Sequence, residues 1–297
     1  MRLVNSADGK IVDEVKTADG VARMAEGCEG AARAERYARL LAEKAALLLG
    51  RNHTEADHCL VSGMASSRLG WKELPYAELP QPVDGSGLIK ESMRVPVEGR
   101  GEMAITLISG VRGREDVMRG EETEIVGLAC SVPFIRETEA VTLILPGTHS
   151  KHARIENGNI VDFKTIMTGE LFAHLSTMPT LRGSIASDAG FDETNPWFAR
   201  GVREAADEGL PKSLFKVRAR NLLHGTSPVD GAAFLSGLLI GTELLQLPGA
   251  RHKVCIASSG KLGRLYGKAS GELRADVEMI DGMLVERATM EGHLTML

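Results

Sequence analysis

Apolar and polar positions alternate through "RLVNSADGKIVDEVK", residues 2–16, on both sides of Asp8-Gly9. An Asp-Gly step between two alternating runs predicts a β-hairpin, because the tight turn needs positive φ. The period then lengthens. In "AARAERYARLLAEKAALLL", 31–49, Tyr37, Leu40, Leu41, Ala45 and Leu48 fall on one helical face, and Gly50 stands where a stop is expected. "HCLVSGM", 58–64, predicts a short buried strand ending at Gly63. Residues 72–100 are rich in Pro and Gly, and strand-like pieces follow at 93–97 and 103–109. "GEETEIVGLACSV" is again helical, and "VTLIL" is a buried strand. It ends in the small-residue turn Gly147-Thr148-His149-Ser150-Lys151 and leads into a hairpin broken at Asn157-Gly158-Asn159.

Beyond the hairpin, "ELFAHLS" predicts a helix starting at Thr168 or Gly169, and "PWFARGVREAADEG" another. "DGAAFLSGLLIGTELLQL", 230–247, sets Phe234, Leu238 and Leu245 on one stripe, with small residues at Ser236, Gly237 and Gly241 that permit close approach. "KVCIASSGKLGRLYGKAS" reads as strand, glycine-serine turn and helix. "ADVEMIDG" is a last strand, and a helix covers about 283–293. Strands alternating with helices, after early hairpins, predict an α/β protein with mixed sheets. Ligands of such sheets sit where strands end and turns lead into helix N-termini. The strand-to-glycine corners at 63, 147 and 258–260 are therefore the expected binding places.

A chain of 297 residues exceeds the usual size of one core, which predicts two domains. Its net charge of −5 gives no general attraction to nucleic acid or anionic membrane. No signal-peptide pattern opens it, and the longest apolar run, "AAFLSGLLIG", has the length of a core helix. Cys28, Cys59, Cys130 and Cys255 are scattered without a C-x-x-C pair. They are expected to be buried thiols of a cytoplasmic protein.

Four segments could carry chemistry. In the turn at 147–151, Gly147 lets the backbone approach a ligand, Thr148 and Ser150 bring hydroxyls, and Lys151 brings a positive charge, a set suited to phosphate. A polar hairpin corner with no ligand has the same composition. Glu121, Glu122 and Glu124 follow Gly120 at a helix start, where acidic residues also simply complement the helix dipole. One of them could instead accept a proton from a substrate hydroxyl, or order magnesium through water. "SGMASSRLGWKELPY", 62–76, combines Gly63, Met64, Ser66, Arg68, Trp71 and Lys72 in a mixture suited to a small hydroxylated acid, or to a solvated loop with one packing tryptophan. Ser258, Ser259 and Gly260 could lie against a nucleotide base. His149 and His152 have no third ligand at metal spacing, and no G-x-S-x-G elbow occurs.

"GWKELPYAELP", "MRGEETEIVG", "LPGTHSKHARIENGNIVDFKTIMTGEL" and "FLSGLLIGTEL" together resemble the 2-dehydro-3-deoxygalactonokinase family, from about residue 10 onward. That family belongs to the sugar-kinase, Hsp70 and actin ATPase superfamily. The resemblance implies two RNase H-like (actin-like) α/β lobes, with mixed sheets flanked by helices and ATP in the cleft. Residues 1–138 would form the sugar-acid side and 139–297 the nucleotide side. It further implies that Gly147, Thr148, His149 and Lys151 form a phosphate corner, that Thr168 and Gly169 face the same ligand, and that Ser258–Gly260 contact adenosine. Glu121 or Glu122 would be the general base, and Gly63 to Lys72 would hold the sugar acid. The expected activity is ATP- and Mg2+-dependent phosphorylation of the 6-hydroxyl of 2-dehydro-3-deoxy-D-galactonate. A homodimer is compatible with the resemblance.

The superfamily opens with a strand bearing Asp-x-Gly-x-(Ser/Thr), whose Asp organises magnesium. Here the sequence reads "MRLVNSADGK" at its start, which resembles the strand after it. If that strand is truly lacking, catalysis is expected to be badly impaired, and a homologue that binds a sugar acid or nucleotide as a sensor becomes the alternative. An ATPase acting on a non-sugar partner is a third reading, disfavoured by the compact polar loop at 64–72.

Overall fold

Hairpin formation at Asp8-Gly9 follows the alternation. Strand β1 (Arg2–Asn5) pairs antiparallel with β2 (Lys10–Glu14), and Gly9 sits at φ +64°. The computed structural model describes residues 1–297 except 57, 187–189, 248–252 and the side chain of Ala22. Several separate sheets flanked by helices make a mixed α/β fold. The described chain divides into two compact units. One comprises residues 1–136, 158–160 and 287–297, the other 137–157 and 161–286. No helix among the described residues is long and apolar enough to cross a membrane.

In the first unit, helix α1 (Gly30–Arg51) buries Tyr37, Ala45, Leu48 and Leu49, the face expected from its period. Strand β3 (His58–Val61) runs parallel to β5 (Gly101–Ile108), which pairs antiparallel with β4 (Lys90–Val97). Tyr37, Trp71, Leu74, Val95, Ile105 and Leu107 share one core with them. The strand expected over 58–64 stops at Val61, because Gly63 takes φ +80° and starts a 3-10 turn through Ser66. Helix α2 (Glu121–Ser131) crosses the C-terminal helix (Gly282–Thr295) at two glycines. A Cβ on Gly127 would lie 1.8 Å from the Ala288 carbonyl oxygen, and one on Gly292 2.1 Å from that of Thr123. Only glycines let the backbones meet so closely.

In the second unit, β6 (Ala140–Leu145), β7 (Ser150–Glu156) and β8 (Asn159–Ile166) lie side by side, with β6 and β7 antiparallel. On the other edge of β6 come helices first in sequence and then two parallel strands in space. The helices are α3 (Thr168–Thr177), α4 (Pro196–Glu208), α5 (Lys216–His224) and α6 (Pro228–Leu244). After them β9 (Lys253–Ile256) pairs parallel with β6, helix α7 (Gly260–Leu273) follows, and β10 (Glu278–Met279) pairs parallel with β9. The order across these strands is β10-β9-β6-β7-β8, and Gln81–Pro82 adds a sixth, short strand antiparallel to the start of β8.

Local chemistry sets the helix starts. Asn195 accepts the Trp197 N–H at 2.9 Å ahead of Pro196, and Ser227 accepts the Asp230 N–H at 3.2 Å ahead of Pro228. Three sequence expectations change. Helix α6 ends at Leu244, so Leu245 leaves the Phe234–Leu238 stripe and is 46% exposed. The last strand shrinks to two residues, since only Glu278 and Met279 find partners on β9. Helix α5 was not foreseen: its run is mostly polar, and its leucines Leu222 and Leu223 face outward.

Candidate functional site

Two of the three glycine corners belong to one neighbourhood in the second unit. The 147–149 turn packs directly on the start of α3. The Glu170 N–H donates to the Thr148 carbonyl at 3.0 Å, and a Cβ on Gly169 would stand 2.6 Å from the Gly147 carbonyl oxygen. Gly169 is therefore required by the close approach of two backbones. Thr148 and His149 are exposed at this turn, and His149 Nε2 lies 2.5 Å from Glu170 Oε2. Lys151 is only 3% exposed, and its ammonium donates to the His149 carbonyl at 3.5 Å, behind the turn.

A pocket of about 280 Å³ opens beside this corner. Gly147, Thr168 and Gly169 stand among its lining, with walls that include Phe172, Phe191, Leu239 and Leu265, and with Lys261 and Leu262 from the start of α7. Ser258 and Ser259 lead into that helix start, where Gly260 takes φ +60°. Ser258 itself is buried, and its carbonyl oxygen would lie 2.5 Å from a Cβ on Gly263. An apolar slot bounded at one end by polar backbone and a helix N-terminus suits a flat ring carrying an anionic tail.

Beneath these corners lies a group that the sequence reading passed over. Glu243, near the end of α6, has no exposed side-chain surface. Its Oε1 accepts from Ser150 Oγ at 2.6 Å and His152 Nε2 at 2.9 Å, and its Oε2 from Tyr266 OH at 2.6 Å and Thr168 Oγ1. Burial pushes its pKa up, but the bonds from His152, Ser150, Thr168 and Tyr266 together hold it below the usual carboxylate range. The signal was present in the sequence as a single carboxylate inside the apolar run "GLLIGTELL".

The first unit gathers the remaining predicted residues. Gly63 (φ +80°) and Gly120 (φ +116°) face each other: a Cβ on Gly120 would lie 3.4 Å from the Gly63 Cα. The loop after β3 and the start of α2 are thus neighbours. Arg119 ties them together, donating to Ser66 O and Ser66 Oγ, each at 2.7 Å, with its guanidinium 4.1 Å from the Tyr76 ring centre. Sequence reading missed this arginine as well.

Ser66 and Trp71 turn inward, Ser66 onto the Ile108 carbonyl at 2.7 Å and Trp71 into the core. Met64, Arg68 and Lys72 stay exposed, and Lys72 is paired with Glu91. The two candidate glutamates differ sharply. Glu122 is 1% exposed, and both its oxygens accept the Gly120 N–H, at 2.9 and 2.8 Å. Glu121 is half-buried, and its Oε2 accepts the Arg119 N–H at 3.0 Å.

Burial pushes the Glu122 pKa up to about 7, with the Gly120 N–H pulling against it. A carboxyl whose folded pKa lies above its unfolded one adds stability at low pH and loses it as pH rises. For Glu122 the loss between pH 4.5 and 7 is on the order of 3 kcal/mol. His293 works in the opposite sense. Burial lowers its pKa to about 4, so its contribution is present above about pH 6.5 and is lost on acidification. Denaturant midpoints of wild type and Glu122→Gln at pH 5 and 7.5 read the carboxyl alone, since both proteins keep His293. The variant is expected to lose less stability than wild type between the two pH values, and equal losses would refute the assignment.

Residues 1–296 match the family described as 2-keto-3-deoxy-galactonokinase. A probable 2-dehydro-3-deoxygalactonokinase of Rhizobium meliloti (strain 1021) is 34% identical over 242 residues, 78% of this chain and 76% of its own. The 2-dehydro-3-deoxygalactonokinase of Escherichia coli (strain K12) is 32% identical over 238 residues, 77% of this chain and 75% of its own. A crystal structure of a candidate 2-dehydro-3-deoxygalactonokinase from Sinorhizobium meliloti is 30% identical, with a TM-score of 0.79 over 97% of this chain and 90% of that one.

Proposed function

The chain belongs to the 2-keto-3-deoxy-galactonokinase family, and from that membership we propose that it transfers the γ-phosphoryl group of ATP to the 6-hydroxyl of 2-dehydro-3-deoxy-D-galactonate. The products are ADP and the 6-phospho acid. We read the two units as RNase H-like lobes, the one with residues 1–136, 158–160 and 287–297 as the sugar-acid side and the one with 137–157 and 161–286 as the nucleotide side, so that most of the last helix, expected with the nucleotide side, is grouped with the first unit. Support for the second lobe comes from its sheet, an antiparallel β6-β7-β8 set extended across β6 by the parallel strands β9 and β10.

The observation that carries the nucleotide assignment is the apolar slot walled by Phe172, Leu239 and Leu265 and closed by Gly147, Thr168 and Gly169. The base would lie in the slot near Ser258–Gly260. The phosphates would meet the first amides of α3, at Thr168 and Gly169, and the 147–149 turn, where the N–H groups of a helix start and the helix dipole favour an anion. Lys151 adds positive charge behind that turn.

Phosphoryl transfer asks a protein for position and charge neutralisation. The 6-oxygen attacks the γ-phosphorus as the bond from that phosphorus to the ADP oxygen breaks, and the hydroxyl proton passes to a carboxylate. We assign that carboxylate to Glu121, because Glu122 is sealed and wrapped onto Gly120. Gly63, Met64, Arg68 and Lys72 would hold the acid, while Ser66 and Trp71 brace the loop from inside. Among the described residues no group of three His, Cys, Asp or Glu side chains is placed to hold a metal. Magnesium would reach the site on the nucleotide phosphates.

The purified protein with ATP, Mg2+ and the keto-deoxy acid is expected to release one ADP for each 6-phospho acid formed. ADP release that does not depend on the acid, or none at all, defeats the reading.

A further inference from the structure

The three places expected from sequence to meet a nucleotide are separated by up to 113 residues, yet one carboxylate bonds residues of two of them and the helix that the third begins. Ser150 leaves the 147–149 turn, Thr168 is the first residue of α3, and Tyr266 lies on α7, the helix that starts at Gly260. Each gives its hydroxyl hydrogen to Glu243, and His152 adds a fourth donor. Two bonds fall on each oxygen, so the carboxylate is fully satisfied without a lysine or arginine.

The arrangement has a chemical consequence. An ionised carboxylate only accepts, so the protons of Ser150, Thr168 and Tyr266 all point at Glu243. Ser150 is completely buried, and its hydroxyl is committed inward, away from any ligand. Thr168 keeps only lone pairs for the pocket it lines, so toward an anion the corner offers backbone N–H groups and the exposed Thr148 hydroxyl. Their position depends on how the turn and the start of α3 are held, and both are held from Glu243.

We propose that Glu243 is a positioning residue for the nucleotide: it sets the 147–149 turn, the α3 N-terminus and α7 in the one register that takes the base and phosphates. The inference rests on the reading of that pocket as the nucleotide site. A glutamine replaces it only in shape. The amide has a single acceptor oxygen, so its NH2 fits the Thr168 and Tyr266 hydroxyls only if both turn round to accept, and all four bonds lose the ionised acceptor.

Three proteins test this: wild type, Glu243→Gln and Ser150→Ala, the last removing one buried donor to Glu243. ATP–Mg2+ binding is followed by titration calorimetry, and steady-state KM is measured separately for ATP and for the keto-deoxy acid. Glu243→Gln is expected to weaken ATP binding and raise its KM about tenfold or more, with the KM of the acid changed less than about twofold. Ser150→Ala should move the same constant in the same direction by a smaller factor.

A role confined to stability would lower the melting temperature and the active fraction but leave the ATP KM of folded protein alone. Folded Glu243→Gln with unchanged ATP binding overturns the proposal. If that variant does not fold, Ser150→Ala decides, and an unchanged ATP KM there overturns it equally. Wild type that binds no ATP removes the nucleotide reading and this inference together. Wild type that binds ATP beside an unaffected Glu243→Gln removes the inference only.

Discussion

Glu121→Gln is expected to cut kcat by about 10²–10⁴-fold, the usual worth of a positioned general base. KM for both substrates should stay within a few-fold, because the amide keeps the size of the side chain and can still accept the Arg119 N–H. Glu122→Gln should keep most of its turnover. Its carboxylate is sealed beneath the start of α2, with both oxygens on the Gly120 N–H and Oε1 also accepting from Thr123 Oγ1 at 3.2 Å. Coupled ADP-release kinetics on both variants separate the two side chains. Equal losses, or a larger loss in Glu122→Gln, would reverse the assignment. The pair differs by one position in sequence, but one helical position turns a side chain by about 100°, enough to exchange interior for surface.

Gly237→Ala is expected to destabilise the second unit by about 3 kcal/mol or more, far beyond the effect of one exposed methyl group. Helices α4 and α6 cross there with almost no side chain between them. The added Cβ would lie 2.1 Å from the Phe198 carbonyl oxygen, and on the facing helix a Cβ at Gly201 would lie 2.2 Å from that of Phe234. Both obstacles are backbone, so no rotamer change relieves the clash and the helices must separate. Since Glu243 rides on α6 less than two turns further on, the ATP KM of any folded remainder should rise as well. The denaturant midpoint measures the first effect; a midpoint equal to wild type would show that the crossing is looser than its geometry.

Local chemistry explains why much of this was legible in the sequence. Asp8-Gly9 needs only its two neighbouring runs to specify a hairpin, whereas Gly50, where a stop is expected, lies inside α1, which runs on to Arg51. The small residues Gly237 and Gly241 announced a close crossing, although not which helix would meet them. The glycine corners at 147 and 258–260 were readable because abrupt ends of apolar strands are visible in one dimension.

Glu243 was not readable as a hub. Its partners Ser150, His152, Thr168 and Tyr266 come from one strand and two other helices, and nothing short-range connects these elements. The inward turn of Ser66 and Trp71 was hidden for the same reason. A loop residue's direction depends on what fills the space behind it, here the Ile108 carbonyl and the core around Tyr37 and Leu107.

Residues 287–297 group with the first unit, and the Arg287 guanidinium donates to the Gly9 carbonyl at 2.9 Å, across 278 positions of chain. On a ribosome the contacts that the Gly9 hairpin and the glycine face of α2 make with the C-terminal helix must therefore wait until the whole of 137–286 has been synthesised. The intervening unit can collapse around its own sheet in the meantime, whereas the earlier one stays unsealed until the final turns of the C-terminal helix emerge. Order of translation and order of completion are thus inverted in this chain.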